Sequence, residues 1–194
     1  IGNLLCETEK ASSCGSLPIE LQTTKNIFAL MFLLRGIPFV DLAYLRKADI
    51  QGNTLKYRRR KTGRLLTVML TPDAIKLIRI VAKTKPESPY LFPFLSSPEG
   101  TEAAYHEYQS SLRMFNYRLS RLKKYMKTAA HLSSYTIRHT WATMAYYCEI
   151  HPGIISEAMG HSSIKVTETY LKPFQNEKID NANSQVISYV KEYA

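Results

Sequence analysis

Residues 18 to 36 read PIELQTTKNIFALMFLLRG, a polar first half running into eight consecutive apolar positions. A proline at the first turn and a glycine at the far end predict a helix between them. Pro38 then opens a short helix through VDLAYL. The period changes to two at TLKYRR and LLTVML, with KTGR between them, which predicts two short strands around a tight glycine turn. PDAIKLIRIVAKT returns to a helical stripe through Ile75, Ile78, Val81 and Ala82. Residues 84 to 100, rich in Pro and Ser, read as a loop around an apolar YLFPFL.

A long helix is expected from about Glu102 to Ala129, then a helix over TIRHTWATMAYYCEI with Ser133 and Ser134 as candidate caps. HPG breaks the chain before two short helices, IISEAM and SSIKVTETY. The last segment is polar and weakly amphipathic, with Val186, Ile187 and Val190 as its apolar contacts. The sum is a mainly α chain with a small antiparallel β-sheet, an α+β domain. Residues 1–17 read as a linker or remnant, 18–173 as the principal domain and 174–194 as a C-terminal segment.

Charge narrows the function. There are 26 Lys and Arg against 16 Asp and Glu, a net +10 with a pI near 9.5. A basic domain of this size most often meets a polyanion, nucleic acid or an acidic membrane surface. The longest apolar run, residues 27 to 34, is far short of the ~20 residues that span a bilayer. No cleavable leader is visible, and the chain opens mid-phrase at Ile1, as a piece of a longer protein would. Three scattered cysteines predict reduced thiols and a cytoplasmic setting, and no Cys/His spacing suggests a metal.

Four features stand outside the core pattern. Arg138 opens a helix beside Tyr135 and His139, where a guanidinium and a helix N-terminus favour the same anion. His161 follows a helix-ending Gly160. Tyr170 either extends an apolar stripe from Val166 or presents its hydroxyl. Arg58, Arg59, Arg60, Lys61 and Arg64 put five cations in seven residues on the predicted hairpin turn, suited to a DNA backbone or to plain solubility.

In this order and spacing, RHTWAT, then MGHSSIKVTETY with the tyrosine nine residues after His161, the chain resembles the tyrosine recombinase (phage integrase) family. RKTGRLLTVML is similar to that family's lysine-bearing hairpin, and RGIPFVDLAYL looks like integrases of the Bacteroides type. The resemblance covers roughly residues 19 to 190. It implies the recombinase catalytic-domain fold and site-specific strand cleavage and religation of double-stranded DNA, without metal or other cofactor.

Residue by residue, it implies Tyr170 as the nucleophile forming a 3′-phosphotyrosyl link. Arg138 and His161 would hold the phosphate, and Lys61 would act as acid for the leaving 5′-oxygen. It further implies a homo-tetramer on DNA, no membrane, a nucleoid location, and exchange of the last helix between protomers. Rival readings are a DNA-binding module that keeps the fold without activity, and a type IB topoisomerase-like enzyme.

Two positions depart from the family pattern. Tyr135 stands where the family has histidine. Pro38 stands three residues before Asp41, where the family has its first catalytic arginine. Arg35, at the end of its helix, is the expected substitute for that charge, and Asp41 is expected to hold an arginine or a helix N-terminus.

Overall fold

The computed structural model describes residues 17–126, 131–171 and 176–192. Its helices are α1 (Ile19–Leu33), α2 (Phe39–Ala43), α3 (Pro72–Val81), α4 (Glu102–Tyr125), α5 (Thr136–Tyr147), α6 (Pro152–Met159), α7 (Ile164–Glu168) and α8 (Asn176–Glu192). Between α2 and α3 lies an antiparallel sheet of β1 (Ile50–Gln51), β2 (Thr54–Arg58) and β3 (Leu65–Met69), in that order. The expected hairpin is β2–β3. β1 is an addition, and its two residues are too few to show alternation.

α1 is the central post. Its apolar run buries Ile27, Phe28, Leu30 and Met31, and it packs against α3, α4 and α5. A helix apolar on most sides is what such a position needs. Phe39 from α2 stacks on Phe115 of α4 at 4.8 Å and tilts against Phe94 at 4.9 Å. In the β2–β3 pair, Leu55 opposes Val68 and Tyr57 opposes Leu66, all four buried, while Lys56, Arg58, Leu65 and Met69 face outward. A second, smaller core joins Ala142 and Ala145 of α5 to Ile155 and Met159 of α6.

Local chemistry accounts for the element ends. Thr71 and Thr101 accept hydrogen bonds from Ala74 N and Ala104 N, capping α3 and α4. Ser133 Oγ accepts from Thr136 N and Thr136 Oγ1 accepts from Ser133 N, which fastens the turn before α5, but the N-cap is Tyr135, without a side-chain cap bond, rather than Ser133 or Ser134. Gly160, at φ +64°, ends α6 in the left-handed conformation.

Several boundaries fall inside the expected spans: α3 ends at Val81, α5 ends at Tyr147, and α7 begins only at Ile164. α4 stops at Tyr125, and the predicted continuation over residues 127–130 lies outside the described residues. α7 stops at Glu168, leaving Tyr170 in the turn beyond it. The linker reading of residues 1–16 and the helix stop at Pro173 also lie outside them.

Gly36 is the joint between α1 and α5. Its φ is +66°, and a Cβ there would meet Arg138 Cα at 3.0 Å and Trp141 Cβ at 3.2 Å. Gly36→Ala is expected to lower the unfolding free energy by at least about 1–2 kcal/mol, the cost of a left-handed L-residue, before any steric term. Urea unfolding of the two proteins measures this.

Candidate active site

α5 and the α6–α7 turn bring the predicted residues together. Arg138, in the first turn of α5, is buried, and its fork is anchored by two carbonyls. Nη1 donates to Gly36 O at 3.0 Å and Nη2 to Met159 O at 2.7 Å. Burial and the nearby Arg59 charge lower its pKa from the ordinary arginine value, against an opposing influence of Tyr170.

His161 is buried in the turn after Gly160. Its Nδ1 lies 2.8 Å from Thr167 Oγ1, while Nε2 has no hydrogen-bond partner among the described residues. It lies three residues before α7, so a helix terminus is not the main cause of its low basicity. Burial comes first, then the Arg138, Arg59 and Lys61 charges, and together they push its pKa down to about 4. At neutral pH the ring is uncharged.

Tyr170 is half-buried beside the smaller core, with its carbonyl accepting from Thr143 Oγ1 at 3.2 Å. Val166 is exposed, so the tyrosine does not extend a buried stripe from it. Three rings surround it. His161 stacks at 5.4 Å, His139 tilts at 4.3 Å, and Tyr135 lies at 6.5 Å with its hydroxyl 2.9 Å from that of Tyr170. His139 also meets Tyr135 edge-on at 4.6 Å. The hydrogen bond shared with Tyr170, then burial, raises the Tyr135 pKa above the ordinary phenol value.

The basic hairpin splits in two ways that the sequence reading did not separate. Arg59 is not on the exposed turn. The inward set Leu55, Tyr57 continues by alternation to Arg59, which is 6% exposed and pairs with buried Asp41 at 3.1 Å. That approach lacks hydrogen-bond geometry, and Arg59 Nε and Nη1 are buried without a hydrogen-bond partner among the described residues. A Cβ on Gly160 would meet Arg59 Cγ at 2.9 Å, so the arginine lies directly beneath the glycine–histidine turn. Asp41 also accepts from Arg60 N at 3.0 Å, and burial raises its pKa against the pull of Arg59.

Arg58 and Arg60 stay partly open to solvent. Arg58 donates to Gly63 O at 3.1 Å, whereas Arg60 pairs with Glu99. Thr62 Oγ1 donates to Gly160 O at 3.2 Å and Arg64 Nη1 to His161 O at 2.8 Å, docking the hairpin on the same turn. Lys61, at the tip, is exposed. Arg35 has a left-handed backbone, φ 59°, and its Nη1 donates to Thr67 O on β3 at 3.2 Å. It therefore leans on the sheet, whereas Arg59 lies beside Arg138.

The histidine shift has a stability consequence. Unfolded, His161 titrates near 6.5; folded, near 4. Between these values the unfolded chain binds more protons, so stability rises with pH through that window and is lost as pH falls through it. Subtracting the stability–pH curve of His161→Gln from the wild-type curve is expected to leave a rise between about pH 4 and 6.5. Parallel curves would contradict it.

A phage integrase family model matches residues 16–177. Among solved structures the fold is similar to XerA recombinase, with 16% identity and a TM-score of 0.56 over 90% of this chain and 66% of that one. It is also similar to the Tn1549 transposon integrase in complex with a circular intermediate DNA, with 16% identity and a TM-score of 0.62 over 87% and 60%. A lambda integrase dimer bound to a COC′ core site has 15% identity and a TM-score of 0.53 over 77% and 52%. This chain thus spans between 52% and 66% of the length of these three. At such identities the likeness shows the fold alone. No relative is found among curated proteins. Because the family model covers most of the chain, on a mainly helical fold shared with these recombinases, the chain belongs to the phage integrase family.

Proposed function

We propose that this chain is the catalytic domain of a site-specific DNA recombinase working through a phosphotyrosyl intermediate. The observation that carries the reading is a set of buried donors with no hydrogen-bond partner among the described residues, Arg59 Nε and His161 Nε2 together with Arg59 Nη1, which has only its ion pair to Asp41, beside Arg138 and Tyr170. Buried donors are nearly always satisfied, and the oxygens of a phosphodiester would satisfy these.

Tyr170 Oη, held in place by its hydrogen bond to Tyr135, attacks the scissile phosphorus, and its phenolic proton passes by way of the exposed Tyr135 hydroxyl to water as the oxygen–phosphorus bond forms. The phosphorus–5′-oxygen bond breaks, leaving DNA linked to Tyr170 through its 3′-phosphate. Lys61 supplies the proton to the departing 5′-oxygen. Arg138, Arg59 and neutral His161 offset the charge that grows on the non-bridging oxygens. With Thr167 Oγ1 donating to Nδ1, Nε2 carries the ring proton and donates. The phosphotyrosine keeps the bond energy, so a new 5′-hydroxyl can reverse the step without a nucleotide cofactor. Fixed cations do the work a metal would do.

Arg59 fits the role of the missing first arginine better than Arg35, because it is buried next to Arg138 and its Nε and Nη1 make no hydrogen bond among the described residues. Arg58 and Arg64 suit backbone contacts along the flanking duplex.

Assembly into a tetramer on DNA belongs to the same reading. α8 buries none of its residues and leaves Ile179, Val186, Ile187, Tyr189 and Val190 exposed, touching its own domain through Lys178 and Glu149 at 3.1 Å. A helix of this kind suits docking on a neighbouring protomer. Tyr135 in the histidine position also suits a second reading, a DNA-binding module that keeps the fold without cleavage.

A nicked suicide duplex carrying the recombination site separates these. The expected result is a covalent adduct that Tyr170→Phe abolishes. Arg59→Ala is expected to slow adduct formation at least about 100-fold, as loss of a donor to a developing oxyanion does. Arg35→Ala is expected to stay near wild type. Arg59→Lys keeps the charge beside Asp41 and guards against a folding artefact. Absence of any adduct from the wild-type chain would favour the binding module.

A further inference from the structure

Beside the hairpin, a single carboxylate holds two arginines. Glu99 Oε2 accepts from Arg46 Nη2 at 2.6 Å and Oε1 from Arg60 Nη1 at 2.5 Å. Burial opposes ionisation of Glu99, but the hydrogen bonds from Arg60 and Arg46 outweigh it and hold its pKa below the usual carboxylate value. The three side chains are 50%, 35% and 34% exposed for Arg46, Arg60 and Glu99, so solvent and solutes reach them.

Both cations are pre-positioned. The Arg60 guanidinium lies 3.7 Å above the Tyr44 ring, and its backbone N is tied to Asp41. Arg46 N donates to Asp49 Oδ2 at 2.7 Å, and its backbone pairs with Tyr90. The loop bearing Glu99 is fastened independently. Glu107 accepts from the backbone N and hydroxyl of both Ser96 and Ser97, and the Tyr90 hydroxyl donates to Ser97 O.

We propose that Arg46 and Arg60 form a seat for a non-scissile DNA backbone phosphate, and that Glu99 fills it until DNA displaces it. The inference rests on the DNA-acting function proposed above. A carboxylate and a phosphodiester offer two anionic oxygens to the same planar guanidinium donors. Arg60 is the neighbour of Lys61, so its seat lies beside the scissile phosphate rather than in it. A carboxylate fixed there opposes DNA twice, by cancelling one of the two positive charges and by occupying the donors of both guanidiniums. Exposed ion pairs are weak, so the exchange has little to overcome. Counterions released from the duplex favour it.

The test is binding of a short mixed-sequence duplex by the whole chain across a salt series. Glu99→Gln is expected to bind about fivefold tighter at low salt, with a log affinity–log salt slope steeper by about one phosphate's share. Adding Arg46→Ala and Arg60→Ala to Glu99→Gln is expected to remove both gains. Equal affinity and slope for wild type and Glu99→Gln would overturn the seat while leaving the function standing. No duplex binding by either protein would overturn the function and the seat together.

Discussion

Two buried guanidiniums set the terms for the rest of this molecule. Arg138 and Arg59 lie within electrostatic reach of each other, and of these two guanidiniums the buried carboxylate of Asp41 pairs with that of Arg59. Burying like charges together is costly unless something compensates. The fold compensates partly, through the Gly36 and Met159 carbonyls on Arg138 and Asp41 on Arg59. The remaining demand is for an anion, the part that the proposed function gives to a DNA phosphate. Burial of His161 in the same place serves that end by keeping the ring neutral, so that it adds a donor without adding a third charge.

The scaffold reads as a set of supports for this arrangement. α1 is buried on most sides because it must hold α3, α4 and α5 at once. The left-handed turn after it exists so that Gly36 can approach the backbone of α5 and turn its carbonyl to Arg138. Gly160 plays the matching part opposite, where any side chain would strike Arg59 and Leu66. Through Thr62 and Arg64 the hairpin clasps the Gly160–His161 turn, so Lys61, His161 and Tyr170 share one local frame.

How much of this was legible in the sequence depends on the range of the interaction. Helices stood out where a terminal signal and an apolar run agreed, as between Pro18 and Gly36. Arg138, His161 and Tyr170 were recognisable because their spacing is a local property of α5 to α7. Arg59 was obscured by its neighbours, since five cations in seven residues read as one exposed patch. The alternation Leu55, Tyr57, Arg59 held the signal, but a strand pattern running into a turn does not say where alternation stops. Glu99 meeting Arg46 and Arg60 and the Tyr135–Tyr170 contact join residues 35 to 53 apart. No periodicity reports such contacts; only the packing of α4 and α5 creates them.

The account hinges on which hydroxyl attacks, because Tyr135 and Tyr170 place two phenols 2.9 Å apart in one site. Protease digestion of a trapped protein–DNA adduct, followed by mass spectrometry of the nucleotide-bearing peptide, decides between them. The predicted result is a phosphotyrosyl nucleotide on Tyr170 alone. A nucleotide on Tyr135, or on a residue away from the Arg138 and Arg59 guanidiniums, would contradict the account.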